Sequence, residues 1–276
     1  MKDMWGYFNL WLCMLGRYFT TAKIRALSPI PWILGHRGAR SCAPENTLIS
    51  FQKAFELGAH GVEFDVIMSK DGIPVIIHDE TLERTTNGHG LVADHTARDL
   101  QNLDATKLMP GFLKEGVPTL SQTLSAMPDQ AIVNIELKSE GHFSKADFVQ
   151  AVHQEALQHD SRLRIIYSSF DGEVLAHLRT LAPDAFISLL LCPRDHNWPS
   201  ALQFWRPIKP DALHIPPSMA TKRFLQHAAR AKLPVAVWTI NDPKLAKILI
   251  DQGVMGIFTD HVSEIAGALN KSPHQP

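Results

Sequence analysis

The chain has 276 residues, 45% of them hydrophobic and 20% charged, a globular composition well away from that of disordered chains. Its 27 Lys and Arg nearly cancel its 28 Asp and Glu, leaving no basic field for a nucleic-acid backbone and no acidic tail, so nucleic acid is not an expected partner. The three cysteines, Cys13, Cys42 and Cys192, form neither a CxxC spacing nor an even set for a disulfide framework, which fits a reducing, cytoplasmic compartment.

In chain order, the first feature is MWGYFNLWLCML at residues 4–15, a run too short for the ~20 residues that cross a bilayer. It is also a poor secretory signal, since Asp3 offsets Lys2 and no small-x-small site precedes Arg17, Lys23 and Arg25. At helical spacing Trp5, Phe8, Leu12, Leu15 and Phe19 form one apolar stripe. Two destinations for residues 4–19 stay open: packing on the rest of the protein, or peripheral contact with a membrane surface. Packing is preferred because exposed Trp and Phe need a partner and a core supplies one. Residues 1–30 are therefore set apart as an apolar helical extension, and residues 31–270 as the folded body.

That body alternates short β-branched runs with amphipathic segments. Strands are predicted at 32–36, 61–67, 131–137, 164–168, 185–191, 212–215, 234–240 and 254–259. Helices are predicted at 46–57, with Asn46 as cap and Gly58 as stop, and at 144–158, 171–181, 219–231, 242–251 and 261–269. Strand then helix, repeated about eight times, predicts an α/β fold of the (β/α)8 TIM-barrel type. An extra strand, 73–78, follows Asp71-Gly72, a dipeptide suited to a two-residue hairpin. Residues 80–118 are polar, rich in turn formers and too long for an ordinary βα loop, so they read as an insertion after the second barrel strand.

Side chains two apart on a strand share a face, so Glu63 and Asp65 point inward while Val62, Phe64 and Val66 point to the helices. Asn134, Glu136 and Lys138 share the inner face of the next strand. A two-residue turn at Asp71-Gly72 would set His78 directly opposite Asp65. Three packed carboxylates need compensating positive charge. Glu63, Asp65 and Glu136 suit a hard divalent cation, Mg²⁺ or Ca²⁺, with Zn²⁺ favoured only if His36 or His78 were also ligands. A buried salt-bridge network around Lys138 is the alternative compensation.

His36 and Arg37 end the first strand, where barrel enzymes keep their chemistry. Two histidines beside a carboxylate triad and an Arg/Lys pair are equipment for proton transfer on both sides of a phosphoryl group. Trp238, at the end of strand 234–240, walls the substrate cleft or packs at the barrel rim. NGHG at 87–90 lacks the strand-to-helix setting of a dinucleotide loop and reads as a turn, and Cys42 has no visible activating base. His153, His159 and His227 fall on helical segments and read as solvated surface.

GHRG, APENT, EFDV, KDG, PVIIHDETLERTTNG, PTLSQTL, NIELK, SSF, VAVWTIND and GIFTD, in this order across residues 32–262, strongly resemble the glycerophosphodiester phosphodiesterase family. The resemblance implies a (β/α)8 barrel with a small insertion after strand two, and metal-aided hydrolysis of glycerophosphodiesters to sn-glycerol 3-phosphate and an alcohol. It implies His36 and His78 as the general acid and base, Glu63, Asp65 and Glu136 as metal ligands, and Arg37 and Lys138 as phosphate binders. The apolar segment at the amino terminus lies outside the pattern, and leaves open lysophospholipase D-type hydrolysis of lysophospholipids at a membrane surface. Nothing in the sequence sets an oligomeric state.

Overall fold

The β-branched runs form nine strands in the computed structural model, which describes residue 27 and residues 31–139, 141–193 and 208–270. They are β1 (Trp32–His36), β2 (Gly61–Met68), β3 (Pro74–Ile76), β4 (Ile132–Leu137), β5 (Arg164–Ser169), β6 (Phe186–Leu190), β7 (Ala212–Ile215), β8 (Val235–Val237) and β9 (Gly256–Thr259). Eight are parallel in the order β1-β9-β8-β7-β6-β5-β4-β2, and pairing of β1 with β2 closes the barrel. The predicted extension at residues 1–30 and its stripe at 4–19 lie outside the described residues, apart from Leu27, which is buried in the barrel interior.

Helices follow the strands at Leu48–Glu56, Lys145–Leu157, Gly172–Leu181, Lys222–Ala231, Pro243–Asp251 and Val262–Asn270, and a further one, Leu120–Ala126, leads out of the insertion. Their starts follow from side-chain caps: Ser144, Asp171, Thr221 and Asp242 each accept a first-turn N–H, and Thr119 with Gln122 forms a capping box. The expected cap at Asn46 is corrected: Thr47 caps this helix, accepting from the Ser50 N–H, because its side chain sits one position nearer the first turn. Asn46 is instead left-handed at φ 57°, and its amide faces the barrel mouth.

The hairpin after β2 is also corrected. Val66 pairs with Ile76, Ile67 with Val75 and Met68 with Pro74, one residue out of the expected register. The turn is longer than two residues: Ser69 N–H bonds to the Ile73 carbonyl, and Gly72 takes the left-handed φ of +77° inside the loop. His78 therefore does not oppose Asp65. The ladder ends at Ile76, and His78 reaches the mouth from the coil beyond it.

Two apolar layers hold the frame. Outward residues Val62, Phe64, Val66, Val133, Ile135 and Leu137 pack under helix residues such as Phe51, Leu120 and Phe148. Inside the barrel Trp32, Leu34, Ile132, Ile166, Phe186, Ala236 and Phe258 fill the interior. Gly256 is required there, since a Cβ would meet the Trp32 ring at 2.1 Å. The insertion carries a small core of its own around Leu82, Val92 and Leu100, and its Glu115 accepts the N–H groups of Leu48 and Ile49 at 2.5 and 3.2 Å. That pairing ties the insertion to the start of the first described helix.

Candidate active site

Polar side chains gather at the carboxyl ends of the strands, around a cavity of about 270 Å³. His36, Arg37, Glu63, His78, Glu136, Lys138 and Trp238, all expected at the site, line it. Asp65 lies against them, 3.4 Å from Lys138 Nζ. A larger cavity of about 420 Å³, at the amino ends of β5 and β6, is lined by none of them.

The alternation along β2 and β4 brings Glu63, Asp65 and Glu136 together, with one carboxylate oxygen from each within 4.8 Å of the others. Register explains it, since Asp65 pairs directly with Glu136 across the parallel ladder. Burial, and then the charges of Asp65 and Glu136, push the Glu63 carboxyl well above the usual range. Burial and the charge of Asp65 raise Glu136 to about 7. Asp65 moves the other way: burial opposes its ionisation, but the Lys138 and Arg37 charges outweigh it and hold it low.

Of the two compensations anticipated in the sequence, the salt-bridge network around Lys138 is present. Lys138 Nζ lies 3.3 Å from Glu136 and 3.4 Å from Asp65, and Arg37 Nε lies 3.3 Å from Asp65. They do not complete it, because Glu63 Oε1 is buried with no hydrogen-bond partner. An orphaned buried carboxylate oxygen beside two more carboxylates is a donor set that fits a hard divalent cation.

The two imidazoles are each held by a carboxylate. His36 Nδ1 lies 2.7 Å from Asp260 Oδ1, which leaves Nε2 facing the pocket, 4.0 Å from Glu63. His78 Nδ1 lies 2.5 Å from Asp79 Oδ1, and Arg84 in turn grips Asp79. Burial is the main reason the His78 imidazole titrates below its ordinary value, with the charges of Arg37 and Lys138 adding to it against Asp65.

Three residues of this arrangement were not assigned to the site from the sequence. Asp260 holds His36. Asn46 donates to Asp65 at 3.0 Å. Glu45 accepts from Arg37, Arg40 and Arg84, each at 2.9 Å. Burial disfavours the Glu45 anion, yet the hydrogen bonds from Arg84 and Arg37 pull it down to about 2. Arg37 itself sits at φ 54°, a left-handed conformation costly for a side chain of its size, which lets its backbone N–H bond Glu63 at 3.0 Å.

Of the secondary expectations, Trp238 follows β8 and meets Phe170 edge-on at 5.7 Å, walling the cavity. The reading of His153 as solvated is corrected: it is half-buried, and its Nδ1 lies 3.0 Å from the Tyr167 hydroxyl, because its helix face packs on β5. Among the described residues, no helix is long and apolar enough to cross a membrane.

Such an arrangement can move protons on two sides of an anion that is held by cationic groups. The model of the glycerophosphoryl diester phosphodiesterase family matches residues 36–264. A glycerophosphodiester phosphodiesterase of Caldanaerobacter subterraneus subsp. tengcongensis is 33% identical over 243 residues, spanning 87% of this chain and 98% of its own. Among solved structures, an Oleispira antarctica phosphodiesterase in complex with the product sn-glycerol-3-phosphate aligns with a TM-score of 0.80 at 31% identity, over 89% of this chain and 99% of that one. A glycerophosphodiester phosphodiesterase from Thermotoga maritima aligns with a TM-score of 0.67 at 28% identity, over 84% of this chain and 95% of that one.

Proposed function

The chain belongs to the glycerophosphoryl diester phosphodiesterase family, and from that premise we propose that it hydrolyses glycerophosphodiesters to sn-glycerol 3-phosphate and an alcohol, with His36 and His78 as the acid and base pair. The observation that carries the reading is the pair of imidazoles in one cavity, each with Nδ1 on a carboxylate, beside three buried carboxylates.

Glu63, Asp65 and Glu136 would hold Mg²⁺ or Ca²⁺, which when bound supplies positive charge against the phosphodiester and acidity to a nearby hydroxyl. Everything else falls to the chain's own groups. Asp260 selects the His36 tautomer that leaves Nε2 available for a proton, and Asp79 does the same for His78. Arg37 and Lys138 offer their positive charge to the phosphoryl oxygens. One imidazole takes the proton of the glycerol 2-hydroxyl as that oxygen attacks phosphorus, while the other protonates the departing alcohol. Water then opens the cyclic phosphate with the two roles exchanged.

Deacylated head groups such as glycerophosphocholine are the substrates this pocket suits. The lysophospholipid alternative rests on residues 4–19, which lie outside the described residues. Replacing His36→Ala and His78→Ala separately tests the pairing: kcat on glycerophosphocholine falls by about 10²–10⁴ in each. Near-normal turnover in either variant refutes it.

A further inference from the structure

One buried group at the site has no part in the scheme above. His214, on β7, lines the cavity together with His36, Glu63 and Trp238. It has no exposed surface, and its ring lies 4.8 Å from Phe258 and 6.4 Å from Trp32, edge-on to both. Neither ring nitrogen has a hydrogen-bond partner. Burial drives the imidazole down to about 3, so it is neutral and offers one N–H donor and one acceptor lone pair.

A buried polar group without a partner lowers stability, and an apolar side chain would line this floor without that cost. Two further polar atoms lining the same cavity, Asn134 Oδ1 and Trp238 Nε1, are also buried without partners. Around them the walls are apolar: Leu190, Phe258 and Phe170. A neutral imidazole on an apolar lining offers a hydroxyl one hydrogen bond from the nitrogen that faces the cavity, either donating its N–H or accepting at its lone pair.

We propose that His214 receives the terminal hydroxyl of the substrate's glycerol, and so selects phosphodiesters whose glycerol carries no acyl group there. The proposal rests on the phosphodiesterase reading, which already places the other polar groups of the substrate. Phosphoryl oxygens lie toward Arg37 and Lys138, and the 2-hydroxyl toward the paired histidines. The terminal hydroxyl is what remains, and among the unpaired polar groups of the lining His214 stands on β7, across the barrel from Glu63 and Asp65 on β2. The departing alcohol then lies at the rim, where Phe170 is 45% exposed. An acyl ester on the terminal oxygen removes its proton and brings a long chain against the buried His214 and Phe258.

The test compares kcat/KM for three substrates with Mg²⁺ or Ca²⁺ present. They are glycerophosphocholine, 2-hydroxypropyl phosphocholine and 1-acyl lysophosphatidylcholine. The second keeps the nucleophilic hydroxyl and the leaving choline but carries hydrogen in place of the terminal hydroxyl. Wild-type protein is expected to prefer glycerophosphocholine over the deoxy analogue by about 10- to 100-fold. His214→Leu is expected to bring that ratio close to one. Equal wild-type values, a ratio that survives in the variant, or faster turnover of the lysolipid overturns the proposal. The wild-type ratio stands even if the variant does not fold. Hydrolysis without discrimination removes the role of His214 alone, whereas no hydrolysis of glycerophosphocholine removes the phosphodiesterase reading as well.

Discussion

Glu136→Gln is expected to make the metal-free protein more stable while abolishing its response to metal. Burial and the charge of Asp65 raise Glu136 from 4.5 to about 7. At 1.36 kcal/mol per unit, ionising it in the fold costs about 3 kcal/mol more than in the unfolded chain. The sign follows from linkage: a carboxyl whose folded pKa is raised binds its proton more tightly in the fold, so it weakens the fold increasingly as pH rises from 4.5 through 7. A glutamine mimics the protonated form, and Lys138 keeps Asp65 at 3.4 Å. In EDTA at pH 8 the variant should gain up to about 3 kcal/mol, and at pH 5 under about 1 kcal/mol. For a chain of this length the larger figure raises Tm by about 5 °C or more. Thermal unfolding at both pH values reads the effect. Adding millimolar Mg²⁺ or Ca²⁺ should then reverse the order, because ion binding stabilises the wild type and not the variant. A variant that melts at or below the wild type in EDTA at pH 8, or that gains as much from the ion, refutes the view of these carboxylates as a cation site.

Two other predictions follow from the residues around the histidines. Asp260→Asn should lower kcat by about 10- to 100-fold with little change in KM, as expected for a group that orients an imidazole, and an unchanged kcat would remove Asp260 from that role. Glu45→Gln should destabilise the protein by about 3 kcal/mol at pH 7, because Glu45 ionises at about 2 in the fold instead of 4.5 and is only 9% exposed. Its folded pKa is depressed, so this contribution is complete above 4.5 and fades as pH falls through 2; denaturant unfolding should show it roughly halved at pH 3.

The barrel and the carboxylate cluster were legible because they depend on strand periodicity, a local property. Glu63 and Asp65, or Asn134 and Glu136, stand two apart whatever the rest of the chain does. The hairpin was not, because register turns on how many residues the loop takes, and the bond from the Ser69 N–H to the Ile73 carbonyl leaves three residues in it. His78 still joined the site because the chain leaves the ladder after Ile76. Asp260 stands 224 residues from His36, yet a signal existed: barrel closure pairs Gly35 with Thr259, which puts the next residue of each strand side by side. Strand register gave no signal for Glu45 and Asn46, which loop packing carries to Arg84 and Asp65; their only mark in the sequence is the APENT motif.

The central claim meets its most direct test in the release of glycerol 3-phosphate from glycerophosphocholine by the purified 276-residue chain, measured with Mg²⁺, with Ca²⁺ and with EDTA. Turnover that requires one of the ions and ceases in EDTA is the predicted result. Equal turnover in EDTA would contradict the role given to Glu63, Asp65 and Glu136, and no turnover under any condition would contradict the activity itself.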